Sequence, residues 1–414
     1  MRLTRVHCRV IVPLNATRSP RDPSRSSMMK SPATHSPGPA VETRLSTGHV
    51  APGFESVRNA LDAMLLSDPR FSAQITAVWR GETVVDLTGG PDLAADSVTG
   101  VFSATKGVAA TVIGLLLERG LFDLDEPMAT YWPEFAAEGK GEITVRQVFS
   151  HRAGLVGVDD GFAVEEFIDS ARAAARLAAT APQWQPGSTH GYHALTIGIL
   201  MEEFVRRLTG RSLQEVYETE IRAPREIDFY LGFPESEEPR FREVLPPAPT
   251  PAEAAELSAR ASSTDGIQAL AFNVLHGELP PAGGDMGPNS RRMRASGFAA
   301  IDGIGSARGL AHLYQAILGG PGAEPLLSKT TTEQMSREQS VGPDRVLVLP
   351  TSFAIVYMKP NPRLDFASYR AFGHDGAGGV FGYVPMPMQL PGGADPKGIE
   401  LSRLIRASIR RLQQ

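Results

Sequence analysis

The sequence predicts a mixed α+β protein, and three observations carry that reading. Residues 71–79 and 82–87 are two strand-like runs joined by Arg80-Gly81, a hairpin signal. From about 125 to 300 the chain is dominated by runs of helical spacing and by helix stops, which reads as a mainly helical insertion. Near the C-terminus, residues 398–412 place Leu401, Leu404, Ile405, Ile409 and Leu412 on one helix face, the pattern of a helix packed on a sheet.

The remaining elements follow in order. Residues 54–66 space Val57, Leu61, Met64 and Leu65 for a first helix, and Gly89-Gly90-Pro91 ends the hairpin behind it. An apolar run from Val108 to Leu117 stops at Gly120; a helix that is apolar all round is a buried one. Pro127 opens a helix toward Tyr131-Trp132-Pro133-Glu134-Phe135, and Thr144 caps a short one over 143–150. Residues 164–181 and 195–208 read as helices, the second halted by Gly210, with weaker ones at 252–261 and 266–275. Helices at 306–318 and 329–336 precede expected strands at 346–349 and 353–358 and one or two more within 371–384. No internal repeat is visible.

Composition narrows the function classes. A chain of 414 residues with 42% hydrophobic residues can bury a substantial core, and a net charge of −5 offers no basic surplus for nucleic acid. Cys8 is the lone cysteine, which rules out disulfides within the chain and a cysteine-based zinc site. No apolar run approaches the roughly 20 residues of a membrane-spanning helix, and residues 10–14 are too short for a secretory core. A cytoplasmic protein without transmembrane segment is the expectation. The first 45 residues, rich in Arg, Ser and Pro and poor in acid, read as a disordered extension, with Met28 or Met29 as alternative starts.

The chemistry concentrates in Val101-Phe102-Ser103-Ala104-Thr105-Lys106-Gly107, just ahead of the buried helix. Three-residue spacing puts Ser103 and Lys106 on one face, so the amine can reach the hydroxyl, and a helix N-terminus favours developing negative charge there. Ser27-Met28-Met29-Lys30 has the same spacing, but it lies in the extension with no apolar helix behind it. Two further segments stand out. Residues 184–194 form a turn-rich loop delivering Tyr192, whose phenolate beside a lysine could serve as a base. Phe372-Gly373-His374-Asp375-Gly376-Ala377-Gly378-Gly379 is glycine-dense, which lets backbone approach a ligand closely, and the Ala377 N–H could pair with that of Ser103 as an oxyanion hole. His151 lacks a second histidine at metal spacing and reads as a structural or helix-end histidine. No Gly-x-Ser-x-Gly elbow occurs, which disfavours the α/β-hydrolase route to serine chemistry.

Together and in this order, these segments resemble the serine β-lactamase and penicillin-binding-protein superfamily, and within it the carboxylesterase branch. The resemblance runs from about residue 53 to the C-terminus and includes His151 to Leu155. It implies an antiparallel sheet flanked by helices and built from both chain ends, with sheet-containing parts at 46–125 and 300–414 and a helical part at 126–299. It implies Ser103 as the acylated nucleophile, Lys106 and Tyr192 as its proton partners, and His374, Asp375, Gly376 and Ala377 as the substrate-binding edge, with no cofactor and no metal. The expected activity is hydrolysis of small-molecule carboxylic esters; a β-lactamase or D-amino-peptidase is the alternative, and a non-catalytic binding protein the alternative of another class.

Two departures from the family pattern shape that reading. Ala194 stands where β-lactamases usually carry an Asn that binds the substrate amide, which suits an ester. After Gly379 only residues 380–386 precede Pro391-Gly392-Gly393, about one strand fewer than the family pattern.

Overall fold

The computed structural model describes residues 2–7, 45–244, 266–273, 287–320, 322–361, 368–376, 380–384 and 396–414. Its strands in chain order are β1 (Arg2–His7), β2 (Thr47–Val50), β3 (Ala73–Trp79), β4 (Glu82–Gly89), β5 (Val98–Gly100), β6 (Phe229–Tyr230), β7 (Phe241–Arg242), β8 (Ile304–Gly305), β9 (Ser340–Pro343), β10 (Pro350–Phe353), β11 (Phe372–Gly376) and β12 (Val380–Val384). The helices that matter most for the site are α1 (Glu55–Ser67), α2 (Ala104–Glu118), α3 (Thr196–Thr209), α4 (Ala307–Leu318), α5 (Lys329–Ser336) and α6 (Pro396–Gln413).

A six-stranded sheet in the order β11-β12-β1-β3-β4-β2 is antiparallel throughout. Its hairpin β3–β4 turns at Arg80 and Gly81, both at positive φ, as a tight two-residue connection requires. Alternation along β3 divides the packing. Ala73, Ile75 and Ala77 share a core with Val57 and Leu61 of α1 and Leu401 and Ile405 of α6. On the other face, the Gln74 side-chain oxygen accepts the Ala307 N–H at the start of α4. The sheet is thus covered on both sides, by α1 and α6 on one and by α4 on the other.

Behind α4 lies the larger core, centred on α2. Residues 104–116 of that helix are all buried, so its apolar-all-round composition is explained by its place inside the protein. Each large side chain there, such as Ile113 or Leu116, contributes about 1.5–3 kcal/mol relative to exposure. The short strands β6, β8, β5 and β7 form a second sheet, whose β5 runs straight into Val101, Phe102 and Ser103. Among the described residues, no helix is long and apolar enough to cross a membrane.

Three expectations need correcting. The N-terminal extension was expected to lie outside the fold, yet Arg2–His7 forms a strand between β12 and β3. That strand fills the place left by the short segment after Gly379, so the sheet continues from β12 without a gap. Strands expected at 346–349 and 353–358 fall instead at Ser340–Pro343 and Pro350–Phe353. Between them the Asp344 carboxylate accepts the N–H groups of Val346 and Leu347 at 2.8 and 2.9 Å and holds a turn where apolar composition suggested a strand. The helix expected over 164–181 breaks at Asp169, which caps its second half. The weak helix expected at 252–261 lies outside the described residues.

Candidate active site

Ser103 stands at the junction of β5 and α2. Phe102, just before it, has a positive φ of 47°, a strained conformation for a bulky residue that turns the strand sharply into the helix. Ser103 is the N-cap residue of α2 but makes no side-chain cap hydrogen bond. Its oxygen is engaged elsewhere: the Lys106 Nζ donates to Ser103 Oγ at 3.0 Å and to the Ala300 carbonyl at 2.9 Å. One turn of helix has brought the two side chains together as the spacing required.

Lys106 is wholly buried. Burial penalises its charged form and lowers its pKa to about 7, against the opposing pull of Asp375 and Asp302. At neutral pH a large share of this amine is therefore free base, hydrogen-bond distance from a serine oxygen.

Tyr192 arrives from the loop before α3, and the Lys106 Nζ lies 5.1 Å from the centre of its ring. Its position is set by Asp344, whose carboxylate accepts the Tyr192 N–H at 3.0 Å and the Thr351 hydroxyl at 3.0 Å. The ring stacks on Phe353 with an interplanar angle of 10°. The expectation of a phenolate does not hold. Burial raises the pKa of Tyr192 well above the ordinary tyrosine value, with the Ser103 hydroxyl pulling the other way, so the resting group is a neutral phenol. Of the two proton partners, Lys106 is the one able to lose its proton near pH 7.

Around Tyr192 lies a shell of buried histidines. His151 packs on it at 5.3 Å between ring centres, and its Nδ1 accepts the His193 N–H at 3.1 Å. His193 in turn takes the Leu155 N–H on Nε2 and meets the Gly191 carbonyl through Nδ1. Burial lowers the pKa of His193 to about 4 and that of His374 to about 3, so both are neutral over the working range. His151 Nε2 and His374 Nε2 are buried without a hydrogen-bond partner among the described residues, and the Tyr192 hydroxyl has the Ser103 hydroxyl within reach. Such a cluster of unpartnered polar atoms marks a place where substrate or water belongs.

The glycine-dense segment forms β11 on the far side of Ser103. Gly376 lies against the backbone around Ser103: a Cβ there would sit 2.2 Å from the Val101 carbonyl oxygen, 3.0 Å from the Ala104 nitrogen and 3.3 Å from the Ser103 nitrogen. On the helix side Gly107 permits the same approach, since a Cβ would sit 3.2 Å from that of His374. His374 is fully buried, whereas the Asp375 side chain is partly exposed. Ala377, the expected oxyanion donor, lies outside the described residues.

The structure thus brings Ser103, Lys106, Tyr192, His374 and Gly376 around one point, with Asp375 within electrostatic reach of Lys106. Sequence reasoning missed Asp344 and the Ala300 carbonyl. Gly342-Pro343-Asp344 did carry a turn signal, but only the fold reveals that its carboxylate reaches Tyr192. A polar groove of about 540 Å³, lined by Asp123, Asp125, Arg146 and Arg337 among others, lies at the opposite end of α2, away from this cluster.

Comparison with known proteins agrees with this arrangement. Residues 58–386 match the family model described as Beta-lactamase. The chain is 33% identical over 355 residues to the esterase/beta-lactamase LipL of Mycobacterium tuberculosis, covering 81% of this chain and 79% of that protein. Among solved structures it resembles EstA from Arthrobacter nitroguajacolicus Rue61a, with 44% identity, a TM-score of 0.73, and 88% of this chain and 99% of that one covered. A family VIII carboxylesterase matches at 30% identity and a TM-score of 0.71, again over 88% and 99% of the two chains. With a strand–turn–helix nucleophile site and an antiparallel sheet of this order behind it, the chain belongs to the beta-lactamase family and is an enzyme of the serine hydrolase kind.

Proposed function

We propose that the protein is a serine carboxylesterase that works through an acyl-enzyme on Ser103. The observation that carries this reading is the 3.0 Å hydrogen bond between the Ser103 hydroxyl and a buried Lys106 whose pKa is lowered to about 7. As Ser103 Oγ attacks the ester carbonyl, its proton passes to Lys106, and the neutral Tyr192 phenol, beside both, hands a proton to the departing alkoxide. The Ser103 N–H at the start of α2 faces the developing oxyanion, and β11, in contact with that nitrogen through Gly376, is the wall from which the second donor comes. Lys106 next returns its proton to the Tyr192 phenolate, and water then cleaves the acyl-enzyme with Lys106 again as base, the proton it takes from water passing back to Ser103 Oγ as the acid leaves.

An ester as substrate is supported by the relatives named as esterases and by Ala194, which offers no side-chain amide to bind a peptide or lactam amide. Hydrolysis of p-nitrophenyl butyrate by the purified protein tests the reading: activity that persists in Ser103→Ala refutes it. A chromogenic cephalosporin tests the β-lactamase reading, which the name of the mycobacterial relative also favours. Failure of a fluorophosphonate to label Ser103 would favour a non-catalytic binding protein.

A further inference from the structure

The loop that delivers Tyr192 is held at three consecutive backbone N–H groups, and two residues hold all three. The Gly191 N–H donates to the His151 carbonyl at 3.1 Å, the Tyr192 N–H to the Asp344 carboxylate at 3.0 Å, and the His193 N–H to His151 Nδ1 at 3.1 Å. His151 thus grips the chain on both sides of the tyrosine, once through its backbone and once through its ring. It does so from a left-handed backbone, with φ at 63°, just past the short helix Val145–Phe149. Such a conformation is uncommon for a residue with a side chain, and histidine and asparagine are among those that adopt it most readily. The ring is fully buried, 4.4 Å from Phe353 and 5.3 Å from Tyr192 between ring centres, while Phe353 stacks on the phenol ring. Because Nδ1 accepts an N–H, the hydrogen of the neutral imidazole stands on Nε2, which has no partner among the described residues. Polar anchorage of the ring therefore runs through Nδ1, and it leads to the residue next to Tyr192.

We infer that His151 is a positioning residue for the Tyr192 phenol: by gripping Gly191 and His193 and packing its ring on the tyrosine, it fixes where the hydroxyl stands relative to Ser103 and the leaving group. This inference rests on the reading of Tyr192 as the proton donor to the departing alkoxide. Proton transfer needs donor and acceptor within about 2.6–3.2 Å, and a misplacement of about 1 Å costs on the order of a hundredfold. Tyr192 stands on a loop rather than within a helix, so the aim of its hydroxyl depends on how that loop is anchored. Asp344 holds the middle N–H and is itself held by Thr351, whose hydroxyl donates to it at 3.0 Å and so accepts from His190 Nε2 at 2.9 Å. His151 holds the two outer ones. A leaving group that departs without a proton, such as p-nitrophenolate, makes little demand on this aim, whereas ethoxide makes a large one.

The test compares kcat/KM for ethyl butyrate and p-nitrophenyl butyrate, which form the same acyl-enzyme, beside the thermal melting of each variant. Tyr192→Phe removes the proton donor and should lose about tenfold more, or beyond, on the ethyl ester than on the nitrophenyl ester. His151→Leu, which has no acceptor for the His193 N–H, should show the same imbalance, again about tenfold. His151→Asn keeps an acceptor near the place of Nδ1 and tolerates the positive φ, so the balance should return to within about threefold of the wild type. An imbalance in His151→Leu that His151→Asn repairs supports the inference, since a merely structural role would lower both esters together. Equal losses on the two esters in a folded His151→Leu, or an imbalance that His151→Asn leaves in place, overturn it. Should His151→Leu fail to fold, His151→Gln decides, because its amide carries the acceptor one bond too far: an imbalance supports the inference and equal losses overturn it. Equal losses in Tyr192→Phe would instead refute the donor role of Tyr192 in the proposed function, so the two failures are distinguishable.

Discussion

The two walls that meet at Ser103 are built in opposite ways. On the helical wall, Ser103 and Lys106 belong to one turn of one buried helix, and three residues of sequence suffice to bring them together. The sheet wall, by contrast, joins β11 and β12 to β3 through β1, so strands from residue 2 and residue 384 are neighbours. Pairing of Ser103 with Lys106 is therefore a local property, while placement of the opposing edge is a global one. The walls meet where Gly376 touches the Ser103 backbone.

Removing the hydroxyl is the strongest way to break the helical wall. Ser103→Ala should lower kcat/KM for p-nitrophenyl butyrate by roughly 10³-fold or more, with little change in melting temperature. Next comes the contact between the walls. Gly376→Ala places a methyl 2.2 Å from the Val101 carbonyl oxygen, so β11 must move away from Ser103. Activity should fall by roughly 10²-fold, as when an oxyanion donor is displaced, while the Ser103–Lys106 pair remains. A fall of only a few-fold would show that the edge adapts and that the walls are independent.

The pH profile sharpens the contrast. Burial lowers the Lys106 pKa to about 7, so the reactive free amine is present above that pH and lost as the pH falls through it. Below pH 7, kcat/KM should drop about tenfold per pH unit, and a limb near the ordinary lysine value would remove Lys106 as the base. The smallest effect concerns the sheet alone. Deleting residues 2–7 strips the ladder from β3 and β12 and leaves the sequence of α2 unaltered. Melting should fall by about 5 °C, and turnover several-fold through a looser β11. An unchanged melting curve would separate the N-terminal strand from the working fold.

How much of this was readable in the chain follows the same division. The Ser103 and Lys106 pairing, the buried α2, the Arg80-Gly81 hairpin and the amphipathic α6 are all local patterns, and each element lies within a residue or two of its expected place. Strand β1 was not readable, because an Arg-rich stretch without apolar alternation carries no strand signal and its partners lie about 70 and 380 residues away. The turn at Asp344 was hidden for a related reason. Val346, Leu347 and Leu349 suggest a strand, and only a buried carboxylate gathering N–H groups from two segments explains why none forms. The neutral state of Tyr192 likewise follows from its burial, which one short motif does not reveal.

The central position of β1 also bears on the order of events during synthesis. Arg2–His7 emerge before either neighbour; β3 is complete at Trp79, whereas β12 is finished only at Val384. Until β12 is made, β3 would present an open edge to other chains, and β1, which precedes it in the chain, is on hand to cover it. A bulky fusion partner placed directly ahead of Arg2 would compete with that early shielding, so tags belong at the opposite terminus.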